Sequence, residues 1–429
     1  MSERYRASEE FLQRAEKTIP LGSQTFSKSK TQYPLGISPL FADRAKNANL
    51  WDIDGNKFID MVSSLASVTL GHNDRGTRRA VSKQLSIGSI MSLPGRLESE
   101  VAELISELVP SAEMVRFGKN GTDATSAAVR LARAYTGRDH VAVCGYHGWQ
   151  DWSIGTTTRN KGVPQDVIGL SHVFQYNDLS DLERLLECKN GQIAAIVMEP
   201  MNFAWPHEGY LEGVRRLATE YGCVLIFDET ITGFRYSAGG AQELFKVRPD
   251  LSTFGKGIAN GYPLSVVAGR REIMLEMENI FFSGTFGGEL LSLAAAKHVL
   301  QRHAREDICG SLANIGKNIA TALEEIIKGN ELEEVLTLSG HSSWKFLHWK
   351  ENSGFKVEQI RTFFMQEMFL GGVLVLGTHN VTLAHSGKIQ RRLLRVYDSV
   401  LAELAKALRE ENLDKKLKVR PLEPLFKVR

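Results

Sequence analysis

In the stretch LSTFGKGIANGYPLSVVAG, residues 251–269, Lys256 stands between Gly255 and Gly257 with apolar, strand-like runs on both sides. Lysine normally keeps its ammonium in water, so a lysine where the chain runs inward calls for an explanation. Gly-Lys-Gly is also ordinary loop composition, and taken alone these residues fit an exposed turn. The sharper reading is an amine that sheds its proton to act as a nucleophile or Schiff base. Bringing a lysine pKa from about 10.4 to near 7 takes on the order of 4–5 kcal/mol, which burial or a neighbouring cation supplies.

A partner for that lysine lies one predicted strand earlier. The run VLIFDETITGFR, residues 224–235, ends its apolar part on Asp228. Alone, such an aspartate could bind magnesium or a ribose, cap a helix or shape a turn. Paired with Lys256 it acquires another role, because an aspartate can hold the protonated ring nitrogen that makes pyridoxal phosphate an electron sink. That cofactor also needs a phosphate cradle. FGKNGTDATSAAVRLARAYTG, residues 117–137, places Asn120, Gly121 and Thr122 at the opening of a predicted helix, where N–H groups and the dipole attract phosphate. A plain helix start explains the same residues, and the Walker A pattern is absent. An aromatic wall is offered by CGYHGWQDW, where Tyr146 and His147 directly follow a strand-like run and Trp149 lies just beyond.

The elements that must position these residues alternate in the sequence. Short apolar runs, VAVCG near 141, IAAIVMEP near 193, CVLIFDE near 223, LSTFG near 251 and LSVVAG near 264, are separated by helical patterns. That is the signature of crossover units on a largely parallel sheet. Ligands of such sheets sit beyond the carboxyl ends of the strands, which predicts His147, Glu199, Asp228 and Lys256 on one rim. After about residue 305 longer helical patterns surround a short GGVLVLG strand. The expected organisation is an α/β large domain over 73–305, and a smaller α+β domain from 306–429 completed by an N-terminal segment, 1–72.

The 429 residues, 43% hydrophobic and 24% charged, have the composition of a soluble protein with a substantial core. A net charge of +2 gives no electrostatic case for nucleic acid or a membrane surface. The N-terminus reads as an amphipathic helix ending before Pro20 rather than a secretory signal, and no apolar run reaches the length of a membrane span. Cys144, Cys188, Cys223 and Cys309 show no metal-ligand or CxxC spacing. A cytoplasmic location without a bound metal is expected.

LWDIDGNKFIDM, NGTDA, YHGW, MEP, FDETITGFR, TFGKGIANGYPL and GTFGGE occur in an order and spacing that resemble the class III aminotransferases, pyridoxal-phosphate enzymes of fold type I. The likeness is greatest to the glutamate-1-semialdehyde 2,1-aminomutase branch. The resemblance implies that Lys256 carries the Schiff base of pyridoxal 5'-phosphate and Asp228 binds its ring nitrogen. It implies Tyr146 against the ring with His147 beside it, Thr230 behind the ring, Glu199 in the network around Asp228, and Asn120, Gly121 and Thr122 at the phosphate. Thr285 would reach across the boundary of a homodimer with shared active sites.

Departures from the mutase branch define the expected activity. Where a mutase has an arginine for the substrate carboxylate, the aligned residue is Lys28, a point charge instead of a bidentate fork. Where it has a glutamate ahead of Leu383, Ala384 and His385, the sequence LVLGTHNVTLAH offers no acid, only His379 and Asn380 as neutral donors and acceptors. Trp149 replaces a histidine and offers a flat wall suited to a sugar ring. The expectation is therefore an aminotransferase taking an amino group from an amino acid such as glutamate to a polar keto or aldehyde acceptor, a sugar or sugar precursor among them. The alternatives are the aminomutase itself and, in another class, a non-catalytic binding protein on the same fold.

Overall fold

In the computed structural model, which describes residues 3–423, the short apolar runs between residues 114 and 269 assemble into one seven-stranded sheet. Its strands are Met114–Gly118 (β1), His140–Cys144 (β2), Ser171–Val173 (β3), Ile193–Met198 (β4), Val224–Asp228 (β5), Leu251–Phe254 (β6) and Ser265–Gly269 (β7). They lie in the order β1-β7-β6-β5-β4-β2-β3. β7 is antiparallel to β1 and β6, and the pairs from β6 across to β3 are parallel. The sheet lies within one of the two units into which the chain divides, Arg75–Gly310.

Both faces of the sheet are covered, which explains why the central strands read as continuous apolar runs instead of alternating. Val141, Val143, Ala195, Val197 and Ile226 pack on one face against the helix Gly121–Thr136 (α1). Their neighbours Ala142, Ile196, Met198, Leu225 and Phe227 pack on the other, with Leu211, Val214 and Leu217 of the helix Tyr210–Glu220. The period of two along each strand sorts the residues to the two faces.

α1 is positioned by its own caps. The Asp123 carboxylate accepts from the backbone N–H of Asn120 at 2.7 Å and of Lys119 at 3.0 Å, which neutralises donors that a helix start leaves open. Alanines 124, 127, 128 and 132 let the helix lie close on the sheet, and Gly137, at φ 67°, ends it in the left-handed conformation.

The other unit takes the chain up to Asp74 and again from Ser311. It holds a four-stranded sheet, Ala42–Lys46, Asn49–Asp52, Lys57–Asp60 and Val373–Leu374, and a three-stranded antiparallel sheet, Leu336–Ser339, Trp344–Trp349 and Thr378–Asn380. Immediately after the first sheet's third strand, Ser63, Ser64, Leu65 and Ala66 all have positive φ, 45°, 50°, 58° and 68°. A left-handed turn without glycine costs roughly 1–2 kcal/mol per residue and survives only where its surroundings over-determine it. Here Asp60 Oδ1 accepts from the N–H groups of Val62 and Ser63, both at 2.9 Å. Ser63 Oγ donates to the Asn380 carbonyl at 2.7 Å, and Asn380 Nδ2 donates to the Val62 carbonyl at 2.8 Å.

Candidate active site

β2, β4, β5 and β6 run in one direction, so His147, Glu199, Asp228 and Lys256 follow strand ends on the same rim. Asp228 is buried there. Its Oδ2 lies 2.8 Å from His147 Nδ1, and its Oδ1 accepts from the backbone N–H of Thr230 at 3.0 Å and from Thr253 Oγ1 at 3.2 Å. His147 Nε2 lies 3.0 Å from the Cys144 carbonyl. A carbonyl only accepts, so Nε2 must carry a proton, and Nδ1 facing a carboxylate donates as well. Burial opposes the imidazolium, but the hydrogen bond and charge of Asp228, with Glu199 beyond, outweigh it and hold His147 above its ordinary value. Burial likewise opposes the Asp228 carboxylate, and His147 reverses the balance to hold its pKa below the usual range. The two together keep a carboxylate ionised inside the protein.

Lys256 follows β6 at φ 38°, an unusual backbone setting for a residue with a side chain. Burial pulls its amine below the ordinary lysine value. Asp228 and Glu199 oppose that shift, and the buried guanidinium of Arg235 adds to it. Glu199 is pushed up to about 7, first by burial and then by the charge of Asp228. Its carboxylate accepts from Asn202 Nδ2.

At the start of α1 two buried hydroxyls, Thr122 Oγ1 and Thr230 Oγ1, have no hydrogen-bond partner. The glycines around them leave room that side chains would close. A Cβ on Gly148 would lie 2.4 Å from Thr122 Oγ1, one on Gly121 3.4 Å from Thr230 Oγ1, and one on Gly255 3.2 Å from Thr230 Cγ2. Orphaned hydroxyls beside the open N–H groups of a helix start are what a phosphate takes up. Pyridoxal phosphate fits this rim: Gly121 and Thr122 suit its phosphate, Asp228 its ring nitrogen and Lys256 its aldehyde carbon.

The remaining expected residues fall in three places. Tyr146 and Trp149 are exposed, 44% and 64%, on the loop that follows β2. Thr285 is exposed and lines a different cleft of the same unit, with Gly118, Lys119, Asp123, Ser126 and Gln150. His379 and Asn380 belong to the other unit, and there the expectation of substrate-facing donors is corrected. Both are buried; His379 Nε2 is paired with Tyr397 OH at 2.5 Å, and Asn380 clamps the left-handed turn. Burial, with His385 nearby, pushes His379 down to about 3 and leaves it neutral.

Sequence reasoning missed Thr253 and Arg235. Thr253 lies opposite Asp228 in the β5–β6 register, and a hydroxyl within a fully buried strand was its available signal. Arg235, a charge in the apolar context TGFRY, carried the same kind of signal.

A sheet of this topology with an ionised aspartate and a depressed lysine at adjacent strand ends defines a pyridoxal-phosphate enzyme of fold type I. The family model for class III aminotransferases matches residues 33–384, and the chain belongs to that family. It is 31% identical over 404 residues to a 3-aminobutyryl-CoA aminotransferase of Cloacimonas acidaminovorans, covering 92% of this chain and 96% of that protein. It is 38% identical over 309 residues to a glutamate-1-semialdehyde 2,1-aminomutase of Syntrophobacter fumaroxidans, covering 68% and 71%. Among solved structures, the FumI protein of Sphingopyxis sp. MTA144 in its PLP internal aldimine form superposes with a TM-score of 0.87 at 26% identity, covering 96% of this chain and 98% of that one. The chain is an enzyme, an aminotransferase by family, and its cofactor is pyridoxal 5'-phosphate.

Proposed function

We propose that this enzyme exchanges an amino group between two separate substrates, with glutamate as donor and a keto or aldehyde compound as acceptor, instead of moving it within one molecule. The observation that carries this reading is the segment from Gly371 to His385, which holds no carboxylate where the mutase branch has one. Its two polar candidates are buried, His379 with Nε2 paired to Tyr397 OH and Asn380 with Nδ2 donating to the Val62 carbonyl. Lys28 in place of an arginine, and a near-full-length likeness to an aminotransferase, support it further.

When bound, the cofactor supplies an electron sink for the charge that develops at the substrate carbon beside nitrogen. Asp228, kept ionised by His147, would hold the ring-nitrogen proton in place. Lys256 would anchor the cofactor through its amine, and Lys256 Nζ, its basicity lowered by burial and Arg235, takes and returns the substrate proton. Gly121 and Thr122 would hold the phosphate. Thr285, exposed between Phe281 and Phe286, which are 82% and 58% exposed, would complete the neighbour's phosphate site in a homodimer. Among the described residues no helix is long and apolar enough to cross a membrane. The four cysteines are free thiols, which supports a cytoplasmic setting.

The test is incubation of the holoenzyme with glutamate alone. Release of 2-oxoglutarate with conversion of the cofactor to its amine form supports exchange. Efficient isomerisation of glutamate-1-semialdehyde, with no response to any amino donor, refutes it.

A further inference from the structure

Glu229 stands between Asp228 and Thr230 and is fully buried. A carboxylate out of water is costly unless hydrogen bonds surround it. Glu229 Oε2 accepts from Thr232 Oγ1 and from the Ala241 N–H at 2.7 Å, and Oε1 accepts from the Gln242 N–H at 2.9 Å and from Gln242 Nε2 at 3.4 Å. Burial raises its pKa, and these four donors oppose the shift. Gly240, at φ 86°, leaves the carboxylate against bare backbone: a Cβ there would lie 2.7 Å from both of its oxygens.

The main chain of Glu229 ties it to its surroundings as well. Its N–H donates to the Thr253 carbonyl at 2.8 Å, and its carbonyl accepts from the Gly233 N–H at 2.9 Å. Thr253 in turn donates Oγ1 to Asp228 Oδ1, and Thr230 donates its N–H to the same oxygen. Both donors on Asp228 Oδ1 therefore belong to residues that adjoin Glu229 or bond to it. Behind the clamp, Gln242 Nε2 donates to Ser252 Oγ at 2.9 Å, Gln242 Oε1 accepts from the Ser111 N–H at 3.0 Å, and the Ser111 and Ser252 hydroxyls lie 2.8 Å apart. All of these residues are buried, where a satisfied polar network rigidifies what it holds.

We propose that Glu229 is a positioning residue for the reaction: by clamping the turn from Thr230 to Gln242 against β6, it fixes the two donors on Asp228 Oδ1 and so the direction in which that carboxylate faces the cofactor ring. The assignment rests on the reading of Asp228 as the partner of the ring nitrogen. Of two neighbouring carboxylates, one meets the cofactor and the other holds the first in place. Orientation matters because a hydrogen bond weakens steeply with its angle and a preorganised charge needs no rearrangement at the moment of reaction.

Glu229→Gln keeps the size of the side chain but turns an NH2 group towards donors that need an acceptor. In the holoenzyme it should lower kcat about tenfold or more with KM little changed. It should also raise the pH midpoint of the cofactor's visible absorption by roughly half a unit, because a ring nitrogen holding its proton less firmly lets the nitrogen joined to Lys256 keep its own to higher pH. Thr232→Val removes one donor and leaves three; it should move both readouts the same way by less, and it carries the test where Glu229→Gln does not fold. A double-mutant cycle separates positioning from plain structural support. An effect that passes through Asp228 vanishes when Glu229→Gln is added to Asp228→Asn, whereas a structural loss multiplies with it. Unchanged kcat and absorption in both variants, or losses that multiply in the cycle, overturn the proposal. The Asp228→Asn variant alone keeps the two readings apart. If it loses its rate while Glu229→Gln and Thr232→Val keep theirs, only the Glu229 proposal fails; if it keeps its rate, the reading of Asp228 fails and the proposal with it.

Discussion

His147 and Asp228, from loops two strands apart on the same rim, share a buried hydrogen bond of 2.8 Å, while the far nitrogen of the ring is held by the Cys144 carbonyl at 3.0 Å. Both ring nitrogens therefore donate, and the imidazolium pairs with a carboxylate that burial alone would neutralise. His147 should remain protonated above its ordinary pKa of about 6.5. The sign follows: its contribution to stability is full below that ordinary value and fades as pH rises through the raised folded value, whereas that of Asp228 fades only as pH falls through its lowered one. Imidazole NMR of the folded protein checks this, and a His147 resonance titrating below 6.5 speaks against the pair.

Asp228→Asn should lower kcat about a hundredfold or more, the scale of losing one preorganised electrostatic group, with KM changing far less. A neutral amide no longer favours a protonated ring nitrogen. Single-turnover rates equal to those of the unaltered enzyme would mean that another residue performs this task.

Glu199 binds its proton up to about 7 in the folded chain, compared with an ordinary value of 4.5. The folded state holds that proton longer than the unfolded one, so stability falls as pH rises between those values and stays reduced above them. Glu199→Gln removes the penalty. The cofactor-free variant should melt ~2–5 °C higher than the parent at pH 8, reflecting on the order of 2–3 kcal/mol, and at the same temperature at pH 4. Thermal scans at the two pH values decide it.

Gly148 has φ 116°, and a Cβ there would lie 2.4 Å from Thr122 Oγ1. Gly148→Ala should weaken cofactor retention roughly tenfold or more, by strain and by displacing the Thr122 hydroxyl. Equilibrium dialysis against the cofactor measures this, and undiminished retention would remove Thr122 from the phosphate site.

Thr285 should act in trans. One hydrogen bond to a charged phosphate is worth ~1.5–3 kcal/mol, roughly ten- to a hundredfold in affinity, so Thr285→Ala should loosen the cofactor and leave the proposed homodimer intact. In mixed dimers of Lys256→Ala and Thr285→Ala subunits, one site should combine both lesions and the other should carry neither. A catalytically competent monomer in sedimentation at assay concentration ends the shared-site proposal.

How legible the site was depended on how far each partner lay in sequence. Asp228 and Lys256 announced themselves because each interrupts or ends an apolar run, and the alternation of runs placed them on one rim. His147 was legible as a position but not as the partner of Asp228, since that pairing exists only once β4 separates their strands in the sheet. Thr253 looked like any strand threonine until register put it opposite Asp228. His379 and Asn380 were misread because polar residue types say nothing of where they lie: both are buried, with His379 Nε2 paired to Tyr397 OH and Asn380 Nδ2 donating to the Val62 carbonyl. The turn Ser63–Ala66 left no trace at all: SSLA contains neither glycine nor asparagine, and contacts distant in sequence impose its conformation.

The central claim, that Lys256 is the residue to which the cofactor is joined, can be tested directly by borohydride reduction of the holoenzyme followed by peptide mass mapping. The predicted result is reduced cofactor on the peptide containing Lys256, and in Lys256→Ala a cofactor that is still bound but released on denaturation, with nearly all turnover lost. Label on another lysine, or substantial turnover in Lys256→Ala, would contradict it.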